Sequence, residues 1–294
     1  MSYSNGENNF LTAEQGGKAF SLMIAIYALL SFLVQAILLN FTTNTSFIYT
    51  AICSVISCIA IATVLLYQIR QNKYTYKALS VKKFSVSSLF LAILIAVGMF
   101  CGLGFVNVSI IELLQNISVS IASPNIVLDN VWQFVYFVFA LAILPAIVEE
   151  LFFRGLFLNS LSGQSVLSKS LIVGLFFALY HCNLGQFIYQ FIYGALLTLL
   201  TIYAKSTLPA IITHFLNNFV ALLFTYLKVS VDLFSPILIA CGLACIAFAL
   251  VIMILKLKKI NQEKANSSAK SVFMPYGILG VTVCVLMLVS VFLV

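Results

Sequence analysis

Charged residues are scarce in this 294-residue chain: only 8 % are Asp, Glu, Lys or Arg, whereas 63 % are hydrophobic. An ordinary soluble domain carries about 25 % charged residues. A soluble globular fold is therefore excluded, because one domain could not hide so much apolar surface from water. The composition indicates that lipid surrounds most of the chain. The expected fold class is all-α, a polytopic bundle of transmembrane helices.

Paired cysteines are also lacking. The seven cysteines lie in or beside apolar runs and form no CxxC pair, which excludes a disulfide scaffold and favours their interpretation as small buried hydrophobes. The net charge of +7 does not indicate a nucleic-acid partner. In a membrane protein, basic residues gather in cytoplasmic loops and meet anionic lipid.

Uncharged stretches long enough to cross a bilayer, about 20 residues each, predict about nine spans, with eight as the alternative. The stretch 19–68 is split by polar residues at 40–46, and the stretch 169–205 is long enough for two short helices with a break near 181–186. Further spans are predicted between residues 83 and 112, 129 and 149, 205 and 228, 232 and 256, and after 270.

The basic residues predict the orientation of these spans. With a cytoplasmic N-terminus, 14 of the 15 Lys and Arg residues fall on the inner side, and only Lys228 falls outside. Lys and Arg are enriched in cytoplasmic loops of membrane proteins. We therefore expect an integral membrane protein with its N-terminus in the cytoplasm.

Two adjacent glutamates and an arginine, Glu149, Glu150 and Arg154, follow one of the apolar runs. Ionisable groups within spans cost about 3 kcal/mol each and indicate function by default. Glu150 and Arg154 are four residues apart on one helical face, where they can form an ion pair. Glu149 points about 100° away and is left for another task. A juxtamembrane helix end with solvated charges remains the alternative.

The only two histidines, His181 and His214, both fall in apolar helices. Taken alone, each would be interpreted as a hydrogen-bonded core residue. However, His214 and Asn218 are four residues apart and share a helical face. At 1.5 Å per residue, both histidines and Glu149 can meet in the inner half of the membrane.

A carboxylate, two imidazoles and an amide in a sequestered pocket predict a hydrolytic site. A buried Glu149 can act as a general base on water, helped by His181, while His214 and Asn218 donate hydrogen bonds to an oxyanion. Alternatively, Glu149, His181 and His214 are candidate zinc ligands, with water in the fourth position. The chain lacks His-Glu-Xaa-Xaa-His, Gly-Xaa-Ser-Gly and Gly-Xaa-Gly-Asp, the motifs of other intramembrane proteases.

Three motifs occur in order: Glu149-Glu150-Xaa-Xaa-Xaa-Arg154, Phe177-Xaa-Xaa-Xaa-His181 and His214-Xaa-Xaa-Xaa-Asn218. The ordered set resembles that of the CPBP intramembrane proteases, which comprise CAAX proteases and bacteriocin-processing enzymes and are also called the Abi family. The resemblance implies an endopeptidase in which the residues matching Glu149 and His181 activate water and those matching His214 and Asn218 form the oxyanion hole. Glu150, Arg154 and Phe177 would then support the site. The cofactor remains open: zinc, or none under the glutamate–water mechanism.

The resemblance also implies a peptide or membrane-protein substrate, with the lipid bilayer as the other partner. The Lys-rich, Arg-poor composition favours a bacterial plasma membrane. Two other functions stay open: a non-catalytic, peptide-binding bacteriocin-immunity protein, and a transporter or proton relay. The expected organisation is a cytoplasmic tail (1–18), N-terminal transmembrane helices (19–130), a catalytic core (131–228) and C-terminal transmembrane helices (229–294).

Overall fold

The computed structural model describes residues 11–43, 46–71, 79–119, 126, 128–257 and 268–290, with the backbone alone at 268–275 and 290. Over these residues the chain is helical and has no strand, so the expected all-α bundle is confirmed. Its helices are α1 (Ala13–Leu38), α2 (Phe47–Gln71), α3 (Val86–Asn116), α4 (Val131–Ser160), α5 (Val166–Tyr180), α6 (Phe187–Ala204), α7 (Leu208–Leu227), α8 (Pro236–Leu257) and α9 (Ser268–Ser290).

Seven of the described helices are long and apolar enough to cross a membrane, α6 being counted with the 3₁₀ turn before it. Two shorter apolar stretches are α5 and the part of α9 from Tyr276 to Val289, where side chains are described. The interruptions predicted near 40–46 and 181–186 separate α1 from α2 and α5 from α6. α1 begins at Ala13, upstream of the predicted boundary at residue 19. Residues 1–10 of the predicted tail and lysines 73, 77, 258, 259 and 264 lie outside the described residues.

Several helices begin at a residue whose side chain caps the first turn. Thr12 and Gln15 form a reciprocal capping box at the start of α1. Ser85, Asn130 and Ser165 accept from backbone N–H groups at the starts of α3, α4 and α5. These side chains satisfy donors that would otherwise lack a partner. The sequence therefore specifies the helix starts locally, before any packing.

Helix α4 is irregular around the glutamate pair. Two wider π-helical stretches, Val138–Ile143 and Leu151–Phe157, flank a regular segment, Leu144–Glu150. Every residue from 152 to 158 is buried, so the C-terminal part of α4 is enclosed on all sides by other helices. Single π turns are often found at functional sites. Here they set the direction in which Glu149 and Glu150 leave the helix.

Glycines allow two pairs of helices to approach closely. α3 packs against α8, where a Cβ added to Gly242 would lie 2.1 Å from the backbone nitrogen of Gly102. α5 packs against α6, where a Cβ added to Gly194 would lie 2.9 Å from the Cα of Gly174. Small residues permit such contacts between membrane helices. The second contact matters for the site, because it fixes the Gly194 backbone.

We predict that Gly242→Ala destabilises the bundle by about 1–3 kcal/mol, because the added methyl group forces α8 away from α3. The measurement is unfolding in detergent by titration with SDS, followed by circular dichroism. Ala244→Ser is the matched control, since it adds one heavy atom at an exposed position of the same helix. Equal stability of the two variants would contradict the close contact.

Candidate active site

An ion pair lies in the interior of the bundle. Arg154 donates from Nη1 to Oε1 of Glu150 at 2.9 Å, and both residues have no exposed surface. The spacing of four residues brings the two side chains to one face of α4, as the sequence predicts. Each charge is thereby balanced where water cannot solvate it. The pair is not a solvated helix end.

The rest of the Arg154 guanidinium binds a second helix and an aromatic ring. Its Nη2 donates to the Gly194 carbonyl of α6 at 2.9 Å. The guanidinium carbon lies 4.4 Å from the centre of the Phe177 ring of α5, a cation–π contact. The planar guanidinium can contact three partners at once. A lysine ammonium on a flexible side chain cannot hold the same three partners in this geometry. Arg154 therefore joins α4, α5 and α6.

Glu150 also holds the second histidine. His214 of α7 is buried and donates from Nδ1 to Oε1 of Glu150 at 2.9 Å, so one carboxylate oxygen accepts from both Arg154 and His214. The rings of Phe177 and Tyr193 approach the imidazole edge-on, with centroids 6.0 and 5.9 Å away. These contacts fix the orientation of His214 and leave its Nε2 for another partner.

Glu149 has a different environment from its neighbour. It is 5 % exposed, and its Oε1 accepts a hydrogen bond from the Tyr180 hydroxyl at 3.2 Å. None of the ion pairs found in the described part of the chain includes Glu149. The two adjacent carboxylates therefore have different partners: Glu150 accepts from Arg154 and His214, whereas Glu149 accepts from a neutral phenol.

His181 lies at the end of α5, beside the tyrosine that binds Glu149. Its Nδ1 donates to the Phe177 carbonyl at 2.7 Å, which fixes the ring and leaves Nε2 as the nitrogen without this bond. The His181 ring packs against Phe177 and Tyr180, with centroids 4.6 and 5.1 Å away. Phe177 thus contacts both histidines and Arg154.

Asn218 lies one turn after His214 and is tied to α4. Its Nδ2 donates to the Leu141 carbonyl at 2.8 Å. Pro145, four residues after Leu141, has no N–H to give that carbonyl the usual helical hydrogen bond, as the sequence indicates. The side-chain amide of Asn218 supplies a donor instead. Because Nδ2 carries two hydrogens, one remains for another acceptor.

Unpaired polar atoms concentrate at this site. Among the described residues, six buried side-chain oxygen or nitrogen atoms lack a hydrogen-bond partner, and four of them belong to Glu149, Glu150, Arg154 and Tyr193. Buried polar atoms are normally satisfied, so a cluster of exceptions indicates a place where a polar ligand binds. The cluster includes Glu149, which the sequence predicts as the general base.

The candidate zinc ligands do not form a metal centre in this arrangement. Within the described residues, which include Glu149, His181 and His214, no three His, Cys, Asp or Glu side chains are grouped closely enough to hold a metal ion. The zinc ligand set proposed from the sequence therefore stays a prediction. The mechanism below is derived from the protein groups alone.

Comparison with known families supports the motif resemblance. Residues 131–220 match the family model described as Type II CAAX prenyl endopeptidase Rce1-like. Residues 131–220 are therefore similar to this family, and we refer to them below as the Rce1-like domain. The match covers 90 of the 294 residues and includes all the site residues predicted from the three motifs. Searches of curated proteins and of solved structures gave no significant match.

The sequence motifs missed several residues of the Rce1-like domain that contact the site. Tyr180 binds Glu149, and Tyr189 donates to Asn217 Oδ1 at 2.7 Å. Asn217 in turn donates to Asn218 Oδ1 at 3.3 Å. The aromatic stretch 187–193 therefore does more than pack against neighbouring helices, since Tyr189 supports the Asn217–Asn218 pair. The tyrosines of this stretch were the sequence signal for such contacts, because a buried tyrosine hydroxyl needs a hydrogen-bond partner.

We predict that Arg154→Lys destabilises the Rce1-like domain by about 2 kcal/mol, because an ammonium replaces the fork that binds Glu150 and Gly194 and one charge-assisted hydrogen bond is lost. SDS-titration unfolding measures the change. Arg70→Lys is the matched control, because Arg70 is the other arginine of the chain and is exposed. If Arg154→Lys loses no more free energy of unfolding than Arg70→Lys, the guanidinium fork is not required.

Proposed function

We propose that the chain is an intramembrane endopeptidase that cleaves a peptide bond of a membrane-associated substrate by direct attack of water. The observation that carries the proposal is the environment of Glu149. This buried carboxylate accepts from a phenol, has no ion pair among the described residues, and keeps Oε2 without a partner. A carboxylate held in this way is suited to accept a proton from water.

In the proposed step, Glu149 removes a proton from water as the water oxygen attacks the scissile carbonyl carbon. His181 orients that water through Nε2, since its Nδ1 is bound to the Phe177 carbonyl. Tyr180 positions the Glu149 carboxylate by its hydrogen bond to Oε1. His181 and Tyr180 lie at the end of α5. The general base on α4 and the residues that assist it therefore come from two packed helices.

The negative charge that develops on the carbonyl oxygen is stabilised from α7. His214 donates from Nε2 and Asn218 from the second hydrogen of Nδ2. His214 carries both protons in this step, and the Glu150 carboxylate on its Nδ1 balances the positive charge. The Leu141 carbonyl holds the Asn218 amide in place. Donors that are fixed in advance need no reorganisation during the reaction.

Collapse of the tetrahedral intermediate completes the proposed reaction. The carbon–nitrogen bond breaks, and Glu149 returns its proton to the leaving amine. The products are a new C-terminal carboxyl group and a new N-terminal amine, and the site residues end in their starting protonation states. We place the site near the cytoplasmic side of a bacterial plasma membrane, on the basis of the distribution of Lys and Arg.

We predict that Glu149→Gln and His181→Ala each lower the cleavage rate by about 10²-fold or more, the range expected on loss of a general base or its partner. The assay uses purified protein in detergent and a peptide library, with products identified by mass spectrometry. Glu112→Gln is the matched control for Glu149→Gln, because Glu112 is an exposed glutamate on α3. Wild-type rates are expected for it.

The same assay separates the proposed enzyme from a peptide-binding immunity protein. An immunity protein would bind library peptides without turnover, and Glu149→Gln would change nothing in the product spectrum. Flux of a substrate in proteoliposomes, with no cleavage, would instead indicate a transporter. Either result would overturn the endopeptidase proposal.

We predict that chelation does not inhibit cleavage, because the described site residues do not assemble a metal centre. The measurement is turnover before and after EDTA treatment, together with elemental analysis of the active protein. Activity that follows zinc stoichiometrically, and that survives in Glu149→Gln, would show that the base is assigned wrongly.

A further inference from the structure

Arg154 of the candidate active site also lines a cavity. The cavity has a volume of about 330 Å³ and opens at the end of the bundle where α4 and α6 end and α5 begins. Basic side chains from three separate segments line it: Lys82 before α3, Lys169 of α5 and Lys205 after α6. No Asp or Glu is among its lining residues. The cavity is therefore positive on several sides.

We propose that this cavity binds a phosphate group, presented by an anionic membrane lipid or as free phosphate. Lysine ammonium groups bind phosphate as point charges, and hydroxyl groups can complete the set of hydrogen-bond donors. Ser80 supplies a hydroxyl in the lining, whereas the buried Thr201 hydroxyl already donates to the Leu197 carbonyl at 2.9 Å. The lysines alone would be an ordinary basic surface, but here they border a partly open cavity that the buried Arg154 also lines.

Hydrogen bonds between segments build the cavity in advance. The Thr207 N–H donates to the Ser80 carbonyl at 3.0 Å, and the Ser206 hydroxyl donates to the Lys82 carbonyl at 2.7 Å. Residues 79–82 are thus fixed against the turn that carries Lys205. A Cβ added to Gly155 would lie 3.0 Å from the Leu79 carbonyl oxygen, so the same segment also lies closely on α4.

Arg154 lines the cavity and has one donor without a hydrogen-bond partner among the described residues. The side chain has no exposed surface and lines the cavity, and its Nε has no hydrogen-bond partner among the described residues. Its Nη1 and Nη2 are used by Glu150 and Gly194. A buried donor without a partner is rare in a folded protein.

The position at the helix ends favours a lipid as the source. Lys82, Lys169 and Lys205 all belong to the set that the sequence predicts on the cytoplasmic side, where the leaflet is anionic. Lys82 and Lys205 are exposed, so they can reach a headgroup at the surface, while Lys169 is half-buried. A phosphate of the lipid headgroup lies at the depth of such residues, and its acyl chains can stay in the bilayer.

The test uses the full chain in detergent and counts bound lipid by native mass spectrometry. The probes are short-chain phosphatidylglycerol, short-chain phosphatidylcholine and inorganic phosphate at matched ionic strength. The variants are Lys82→Gln/Lys205→Gln and, as control, Lys228→Gln. Lys228 is matched to Lys205 because each follows the end of a helix with a left-handed backbone, φ 54° in both, but Lys228 does not line the cavity.

We predict that phosphatidylglycerol binds the wild type and Lys228→Gln equally and binds the double variant more weakly, by about fivefold for each lysine removed. Phosphatidylcholine should show no dependence on these lysines. If inorganic phosphate displaces the lipid and depends on the same lysines, the anion site is supported and free phosphate is its second source. If the double variant unfolds normally in SDS and binds phosphatidylglycerol as the control does, the proposal is wrong.

Discussion

The guanidinium of Arg154 carries a full charge at a position with no exposed surface, enclosed by aromatic rings and helix backbones. A charge in such a place is tolerated only when a partner balances it and hydrogen bonds satisfy its donors. Glu150 supplies the charge, and the Gly194 carbonyl supplies a second acceptor. Because these partners come from α4 and α6, the pair is satisfied only when the helices are assembled, and the geometry of the candidate site is therefore linked to the fold.

The irregular path of α4 allows one helix to carry both the Glu150–Arg154 ion pair and Glu149, the candidate general base. The π-helical stretches before and after Leu144–Glu150 change the direction of successive side chains. Every residue from 152 to 158 is buried. Pro145 removes one backbone donor within this region, and Asn218 binds the carbonyl that lies four residues earlier. A feature that weakens the helix locally thus attaches it to α7 at the position where the proposed mechanism needs a fixed amide.

The sequence predicts features that depend on neighbouring positions, and it fails where distant helices meet. Hydrophobic runs locate the helices and their breaks, and the four-residue spacing predicts the Glu150–Arg154 pair. Spacing along one helix cannot identify a partner on another, so the Tyr180 hydroxyl and the Gly194 carbonyl were not foreseen. For the same reason, the zinc ligand set, which is drawn from three helices, stays a prediction.

Two adjacent carboxylates with different partners provide a physical basis for dividing the proposed chemistry. Side chains next to each other on a helix diverge by about 100°, so Glu149 and Glu150 meet different neighbours. Glu150 accepts from Arg154 and His214, and giving it a proton would leave a buried cation without its counter-charge. Glu149 accepts from the neutral Tyr180 hydroxyl, so a proton can arrive and leave without disturbing an ion pair. In the proposed mechanism the base must therefore be Glu149, and Glu150 keeps His214 charged and oriented while the proton moves.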